Sequence, residues 1–265
     1  MYDTRELLEQ RAKIWPDVPR ETVGIDWRED SQVRLCREVF ARQDHFKFLE
    51  NAVENDPTEY FVNNGQYPPL DAWTLEGLMR HFRPRRMIEV GCGFSTLVSA
   101  RVNREFFDSE ISLTCIEPYP RPFLIEGVAG VTEVRVEKIQ ETPLGLFEEL
   151  EENDILFIDT SHTVKTGGDV TWIFGEIVPR LASGVLVHIH DFFLPGEYPE
   201  SWVLEGWGWN ETYLVRSFLT FNDVFEIVLG TLYLLINRQN DVLEAFPDFR
   251  HYLAMGGASL WIRRV

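Results

Sequence analysis

The stretch Arg86-Met-Ile-Glu-Val-Gly-Cys-Gly-Phe-Ser-Thr96 joins a short apolar run to a glycine-rich turn, and helical spacing begins at Leu97. Gly91 and Gly93 allow a tight turn in which a ligand can approach the backbone beside a helix N-terminus. A phosphate-binding G-x-G-x-x-G turn would need glycine at position 96, where Thr96 stands. Glu89 would also repel phosphate, and it suits a cation. For this segment alone, an ordinary strand–helix turn remains the alternative.

Apolar runs rich in β-formers recur after this turn, at 111–116, 132–136, 155–158, 184–189, 225–229 and 259–262. Segments with helical spacing separate most of them, for example Val170, Ile173 and Ile177. Alternating strands and helices predict an α/β fold whose sheet is mostly parallel, with helices on both faces. Strands this apolar fit burial on both sides.

The first part of the chain lacks such strands. Helical spacing, as in Val33, Cys36 and Phe40, predicts an N-terminal helical extension over residues 1–70, followed by one domain over 71–265. A turn-rich stretch at 63–69 precedes a helix over 72–82, for which Asp71 is predicted to be the N-cap and Pro84 the stop.

The composition excludes several classes of function. The 265 residues carry a formal net charge of −18, and a surface that negative repels nucleic acid and anionic membranes. Three widely spaced cysteines support neither a disulfide framework nor a structural zinc site. The N-terminus lacks the apolar core of a secretory signal, and no apolar run approaches the ~20 residues of a membrane span. We expect a cytoplasmic protein.

A second acid marks the end of the next strand, in Cys115-Ile-Glu-Pro118. A carboxylate at that point can accept hydrogen bonds from both vicinal hydroxyls of a ribose. Taken alone, a glutamate such as Glu117 is more often a solvated loop acid. Its combination with Glu89, Gly91 and Gly93 favours a nucleoside-like ligand.

With these features the sequence resembles the class I S-adenosylmethionine-dependent methyltransferases over residues 64–265. The blocks that carry the resemblance are 89–93, Glu117, 154–162 and 179–191. It implies a Rossmann-like three-layer sandwich with a seven-stranded, mostly parallel sheet and an antiparallel last strand. It also implies that Glu117 holds the ribose, that Ile139 and Gln140 flank the adenine, and that Ser95 replaces a glycine common in the family. The implied S-adenosylmethionine site comprises Asn64, Asp71, Glu89, Gly91, Gly93, Ser95, Glu117, Ile139, Gln140 and Asp159.

Catalytic candidates follow the fourth and fifth strands, because ligands of open α/β sheets bind at the carboxyl ends of the strands. Methyl transfer requires alignment of an acceptor and removal of its proton if it is a hydroxyl. Histidine is a natural base near neutral pH. His162 and His190 are therefore predicted bases, with Asp191 as orienter or second base. For His162, a local turn cap is the alternative.

The same strand ends also allow the hypothesis that a divalent metal binds beside the acceptor. Some small-molecule O-methyltransferases place ligands where Asp159, His190 and Asp191 stand. Magnesium prefers oxygen ligands, which makes His190 unusual and the metal not favoured.

The segment after Asp191 is dense in aromatic residues, including Trp202, Trp207, Trp209 and Tyr213. Insertions at this point commonly cover the acceptor in the resembling family, and aromatic rings suit a planar or sugar-like ligand. Core packing or a homodimer contact explains the same residues equally well.

The sequence therefore predicts a methyltransferase that acts on a small molecule, at a hydroxyl. One alternative is a nicotinamide-dependent oxidoreductase on a related fold, although Thr96 counts against it. Another is a non-catalytic subunit that binds the donor. Nucleic-acid methylation conflicts with the charge and with the absence of an Asn/Asp-Pro-Pro-Tyr motif.

Overall fold

A computed structural model describes residues 4–19, 21–54 and 56–265. The strands are β1 (Arg86–Val90), β2 (Ser112–Ile116), β3 (Glu133–Arg135), β4 (Ile155–Ile158), β5 (Leu186–Ile189), β6 (Phe225–Gly230) and β7 (Leu260–Arg264). The α-helices are α1 (Thr4–Glu9), α2 (Arg11–Ile14), α3 (Glu29–Glu38), α4 (Pro69–Phe82), α5 (Phe94–Phe107), α6 (Pro122–Glu126), α7 (Gly145–Glu148), α8 (Asp169–Trp172), α9 (Glu200–Leu204), α10 (Glu211–Leu219), α11 (Thr231–Asn237) and α12 (Gln239–Ala245). No helix in the described ranges is long and apolar enough to cross a membrane.

The strands form one sheet in the order β3-β2-β1-β4-β5-β7-β6. Strands β1 to β5 pair in parallel, and β7 runs antiparallel to both β5 and β6. The predicted Rossmann-like, mostly parallel sheet with an antiparallel last strand is confirmed.

The sheet is buried on both faces because successive side chains of a strand point in opposite directions. In β4, Ile155 and Phe157 pack into one apolar cluster, and Leu156 and Ile158 pack into the other. All four are fully buried. This explains why the strands appear in the sequence as nearly continuous apolar runs.

The segment before α4 packs onto the edge of the sheet that β6 forms. The ring of Trp27 stacks on Tyr233, with ring centroids 4.1 Å apart. The side chain of Gln32 accepts a hydrogen bond of 2.8 Å from the Gly230 backbone N–H. The division at residue 70 stays a prediction, and α4 begins just before it, at Pro69.

The predicted N-cap of α4 is wrong. The cap position is Pro68, so Asp71 lies in the first turn and its side chain is free for other contacts. Pro69 is the first residue of the helix, a position that suits proline because its missing N–H would have no helical partner there. The helix ends at Phe82, as predicted, and Arg83 follows in a left-handed conformation before Pro84.

Candidate active site

The glycine-rich turn lies at the carboxyl ends of β1 and β4. The next strand after β1 is β2, on one side of this pair, and the next strand after β4 is β5, on the other side. Gly91 has a φ of +82°, and a Cβ added there would lie 1.6 Å from the carbonyl oxygen of Asp159. Only glycine fits this close approach of two backbones. Open α/β sheets bind ligands at such switch points.

A first cavity of about 610 Å³ opens beside this turn. Its wall contains five residues of the predicted donor site: Gly91, Glu117, Ile139, Gln140 and Asp159. They come from the ends of β1, β2 and β4 and from the loop after β3. The parallel sheet thus gathers residues that lie far apart in the sequence.

The Glu117 carboxylate is held in place by backbone groups. One oxygen accepts a hydrogen bond of 2.8 Å from the Tyr119 N–H, and the other accepts one of 3.2 Å from the Cys92 N–H. Each carboxylate oxygen can accept a second hydrogen bond. Both oxygens are therefore fixed and still able to receive the hydroxyls of a ligand.

Three other predicted donor residues do not line this cavity. Glu89 is fully buried, and one of its oxygens accepts a 2.5 Å hydrogen bond from the Ser95 hydroxyl. Burial raises the pKa of Glu89 to about 8, although hydrogen bonds from Ser95 and Thr96 oppose the shift. Gly93 is the N-cap of α5, and its N–H donates to the Thr96 hydroxyl at 3.1 Å. These residues stabilise the glycine-rich turn through hydrogen bonds and do not line the first cavity.

The structure also keeps Asn64 and Asp71 away from the first cavity. Asn64 uses its side chain within its own turn: its amide nitrogen donates to the Phe61 and Tyr67 carbonyls, and its oxygen accepts from backbone N–H groups. Asp71 is fully buried and accepts hydrogen bonds of 2.9 Å from both the Thr231 hydroxyl and the Ala258 N–H.

A second cavity of about 600 Å³ adjoins the first, and Asp159 and Thr160 belong to the walls of both. Predicted catalytic residues His162 and Asp191 line it, but His190 does not. Trp202, Trp207 and Trp209 of the aromatic insertion form part of its wall. The remaining lining residues are Val62, Gly65, Gln66, Tyr67, Pro68, Phe193, Pro199, Leu232, Met255, Gly256, Gly257 and Ala258.

His162 is fixed between carboxylates. Its Nδ1 lies 2.9 Å from Glu211, while Nε2 lies 3.2 Å from Asp159 and 3.6 Å from Asp191. Burial opposes the charged imidazole, but hydrogen bonds with Asp159 and Glu211 raise the pKa of His162 to about 10. This shift favours the cationic form of the ring, whose two nitrogens both face carboxylates.

Sequence reasoning missed Glu211. This buried carboxylate follows the tryptophans directly, at the first position of α10. The backbone N–H groups of Asn210 and Glu211 also donate to the His162 carbonyl. The insertion is thereby tied to the loop after β4. No local spacing signals this contact, since 49 residues separate the two partners.

His190 is buried behind the cavity wall. Its Nε2 lies 3.3 Å from Asp71, and its Nδ1 lies 3.5 Å from Asp191 and 3.6 Å from Asp159. Burial disfavours its charge, but Asp191 and Asp159 raise the pKa of His190 well above its ordinary value. Although burial disfavours ionisation of Asp159 as well, His190 and His162 hold the pKa of Asp159 well below its usual range.

The same cluster offers ligands for a metal ion. Asp159, His162 and Asp191 each present one ligand atom, and these atoms lie within 4.8 Å of one another. His162 thus occupies the position for which the sequence suggested His190. Two carboxylates and an imidazole suit manganese, iron or zinc better than magnesium. Glu89, Cys92 and Cys115 form another such group, which is buried under the glycine-rich turn.

Comparison with known proteins agrees with this architecture. Residues 88–192 match the sequence model of a family described as a methyltransferase domain. A 137-residue segment, 51% of the chain, is 34% identical to an uncharacterised protein of Archaeoglobus fulgidus and covers 62% of that relative, less than two thirds of its length. The match of residues 88–192 to a methyltransferase domain model agrees with the resemblance seen in the sequence.

The solved structures that the chain is similar to are more distant in sequence. A SAH-bound methyltransferase of Podospora anserina is 14% identical, with a TM-score of 0.45 and coverage of 100% of this chain and 97% of that one. An O-methyltransferase from Bacillus cereus in complex with SAH is 15% identical, with a TM-score of 0.47 and coverage of 77% and 84%. The residue assignments therefore depend on the geometry of this chain.

Proposed function

We propose that this protein transfers a methyl group from S-adenosylmethionine to a hydroxyl of a small molecule. The observation that carries the proposal is the pair of cavities that meet at Asp159 and Thr160. One has a fixed carboxylate suited to a ribose, and the other has an aromatic wall beside acid–base groups. Two substrates bound side by side at such a junction would hold a methyl donor against an acceptor.

The first cavity is the proposed donor site. Glu117 would accept hydrogen bonds from the ribose hydroxyls, and Ile139 and Gln140 would flank the adenine. The carboxylate of Asp159 stands at the junction, where it favours a positively charged sulfonium. The donor, when bound, supplies a methyl group on a cationic sulfur, which is a good leaving group for in-line displacement.

In the second cavity we assign proton removal to Asp191. Its carboxylate lines the cavity and lies within 3.6 Å of ring nitrogens of both His162 and His190. The acceptor hydroxyl becomes strongly acidic as its oxygen bonds to carbon, so a carboxylate is basic enough to take the proton. His162 and His190 hold that carboxylate in place and balance its charge.

The acceptor is proposed to be a small molecule rather than nucleic acid. The net charge of −18 opposes a phosphate backbone, and the second cavity has the size of a small-ligand pocket. Phe193 and the tryptophans would cover the acceptor and keep water from the reacting groups.

Isothermal titration calorimetry with S-adenosylhomocysteine, the product of the donor, tests the donor site. We expect the wild type to bind it and Glu117→Ala to bind at least tenfold more weakly. The reason is that a hydrogen bond to a charged group contributes about 1.5–3 kcal/mol and tenfold in affinity corresponds to about 1.4 kcal/mol. Glu126→Ala removes an exposed acid outside the cavity and serves as the matched control, with unchanged affinity.

Three results would contradict the proposal. They are no binding of either S-adenosylmethionine or its product, equal affinity in Glu117→Ala, or tighter binding of a nicotinamide dinucleotide than of the product. A screen for transfer of a radiolabelled methyl group to small hydroxyl compounds then separates an enzyme from a subunit that only binds the donor.

A further inference from the structure

The second cavity has an unusual balance of charged side chains. Apart from the Tyr67 phenol, the ionisable residues that line it are Asp159, His162 and Asp191, and its described wall contains neither lysine nor arginine. By contrast, Lys138 and Lys165 line the first cavity. An anion entering the second cavity would therefore meet carboxylates without a flexible cation to pair with.

The groups behind the wall make this imbalance larger. Glu211 contacts His162, and Asp71 contacts His190, and both acids are almost fully buried. The cluster therefore holds four carboxyl groups, Asp71, Asp159, Asp191 and Glu211, against the two imidazoles of His162 and His190. Charges held in a buried environment act on a ligand more strongly than charges in water.

The aromatic part of the wall is a cluster of three tryptophans. Trp202 and Trp207 stack with ring centroids 4.7 Å apart, and Trp209 packs against both at 5.2 and 5.0 Å. Trp209 also lies 4.2 Å from the His162 ring, which connects this face to the charged cluster. Tryptophan faces attract aromatic rings and, among aromatic side chains, attract cations best.

We propose that the second cavity selects its ligand by charge: it binds a flat aromatic compound that is neutral or cationic and rejects the anionic compound of the same shape. The proposal rests on the proposed function, because the ligand it describes is the methyl acceptor. Binding alone nevertheless tests it. The acids would repel the anionic compound, while the tryptophans would attract the aromatic ring of a neutral, a cationic or an anionic compound alike.

Three probes of nearly equal shape separate charge from size: 4-ethylphenol is neutral, tyramine is cationic, and 4-hydroxyphenylacetate is anionic at neutral pH. We would measure their dissociation constants by calorimetry in a buffer with EDTA, with and without S-adenosylhomocysteine. The anion is expected to bind at least tenfold more weakly than 4-ethylphenol, and tyramine at least as tightly as 4-ethylphenol.

Variants assign this selectivity to the two parts of the wall. Asp191→Asn is expected to reduce the discrimination against the anion to threefold or less, and Asp159→Asn gives an independent measurement if the first variant fails to fold. Trp207→Ala is expected to weaken all three probes by a similar factor. Asp223→Asn and Phe221→Ala alter exposed residues outside the cavity and are the matched controls.

The proposal is overturned if the anion binds within threefold of 4-ethylphenol, or if the folded asparagine variants keep the full discrimination. It is also overturned if none of the probes binds to a protein that does bind S-adenosylhomocysteine. If manganese added without EDTA makes the anion the preferred probe, the selectivity belongs to a metal ion and the proposal fails. Charge selection without binding of S-adenosylhomocysteine would instead refute the proposed function and leave this inference standing.

Discussion

Replacement of Gly91 by alanine tests the turn on which the proposed donor site is built. The added methyl group would lie 1.6 Å from the Asp159 carbonyl oxygen, a distance at which the backbone of β1 or β4 must move. The φ of +82° is itself unfavourable for alanine. A left-handed conformation costs roughly 1–2 kcal/mol, and overpacking typically costs a further 1–3 kcal/mol.

We therefore expect Gly91→Ala to lose about 3 kcal/mol of unfolding free energy. In a chain of this size, that corresponds to a fall in Tm of roughly 6–12 °C. Because the movement displaces Asp159 from the junction of the cavities, binding of S-adenosylhomocysteine should also weaken by more than tenfold at temperatures where the variant is folded.

Gly93→Ala is the matched control within the same turn. No atom lies within 4 Å of the position of its added Cβ, and its φ of −165° lies outside the left-handed range that favours glycine. Its Tm should stay within about 2 °C of the wild type, as is usual for changes that meet no neighbour. Differential scanning calorimetry measures both variants. Equal melting temperatures for the two would refute the claim that the approach of the β1 turn to Asp159 requires glycine.

Three further predictions concern buried carboxyl groups. Glu211→Ala leaves the His162 Nδ1 without its carboxylate partner and should cost about 3–5 kcal/mol in urea unfolding, whereas Glu211→Gln should cost less; equal losses would refute the charge pairing. Asp71→Ala removes the acceptor of the Thr231 hydroxyl and leaves the Ala258 N–H unpaired, which should cost about 2–5 kcal/mol, while Asp71→Asn should retain more stability in the same assay. Glu89 binds its proton more tightly in the folded state, with a pKa of about 8 against an ordinary 4.5. The wild type should therefore lose stability as the pH rises from about 4.5 to 8. The Tm of Glu89→Gln relative to the wild type should rise over that window and level off above it, and a constant difference across the window would contradict the raised pKa.

The sheet could be predicted from the sequence because its signal is local. Runs such as those of β1 and β4 are apolar at every position, since both faces of the sheet are covered. The role of Gly91 could also be predicted, because a glycine at the end of a strand indicates a close approach of another group to the backbone. Glu117 lay at the end of a predicted strand, so the topology alone brought it to the ligand edge.

The contacts of the second cavity could not be predicted in this way. Asp71 was expected to be a helix cap near the donor, but its partners Thr231 and Ala258 lie 160 and 187 residues further along the chain. Glu211 reaches His162 only after the insertion has folded over the loop that follows β4. Single-sequence patterns report spacing along one element, and such pairs arise from the packing of several elements.

Asp159 and Thr160 belong to the walls of both cavities. The affinity of each cavity for its ligand should therefore depend on whether the other cavity is filled. A cationic ligand in the first cavity would offset part of the negative charge that the second cavity presents. The affinity for this cationic ligand should therefore change when the second cavity is filled. Thermodynamic linkage requires that the cationic ligand change the affinity of the second cavity by the same factor. The cooperativity between the two substrates would then come from this shared wall, without any moving segment of the chain.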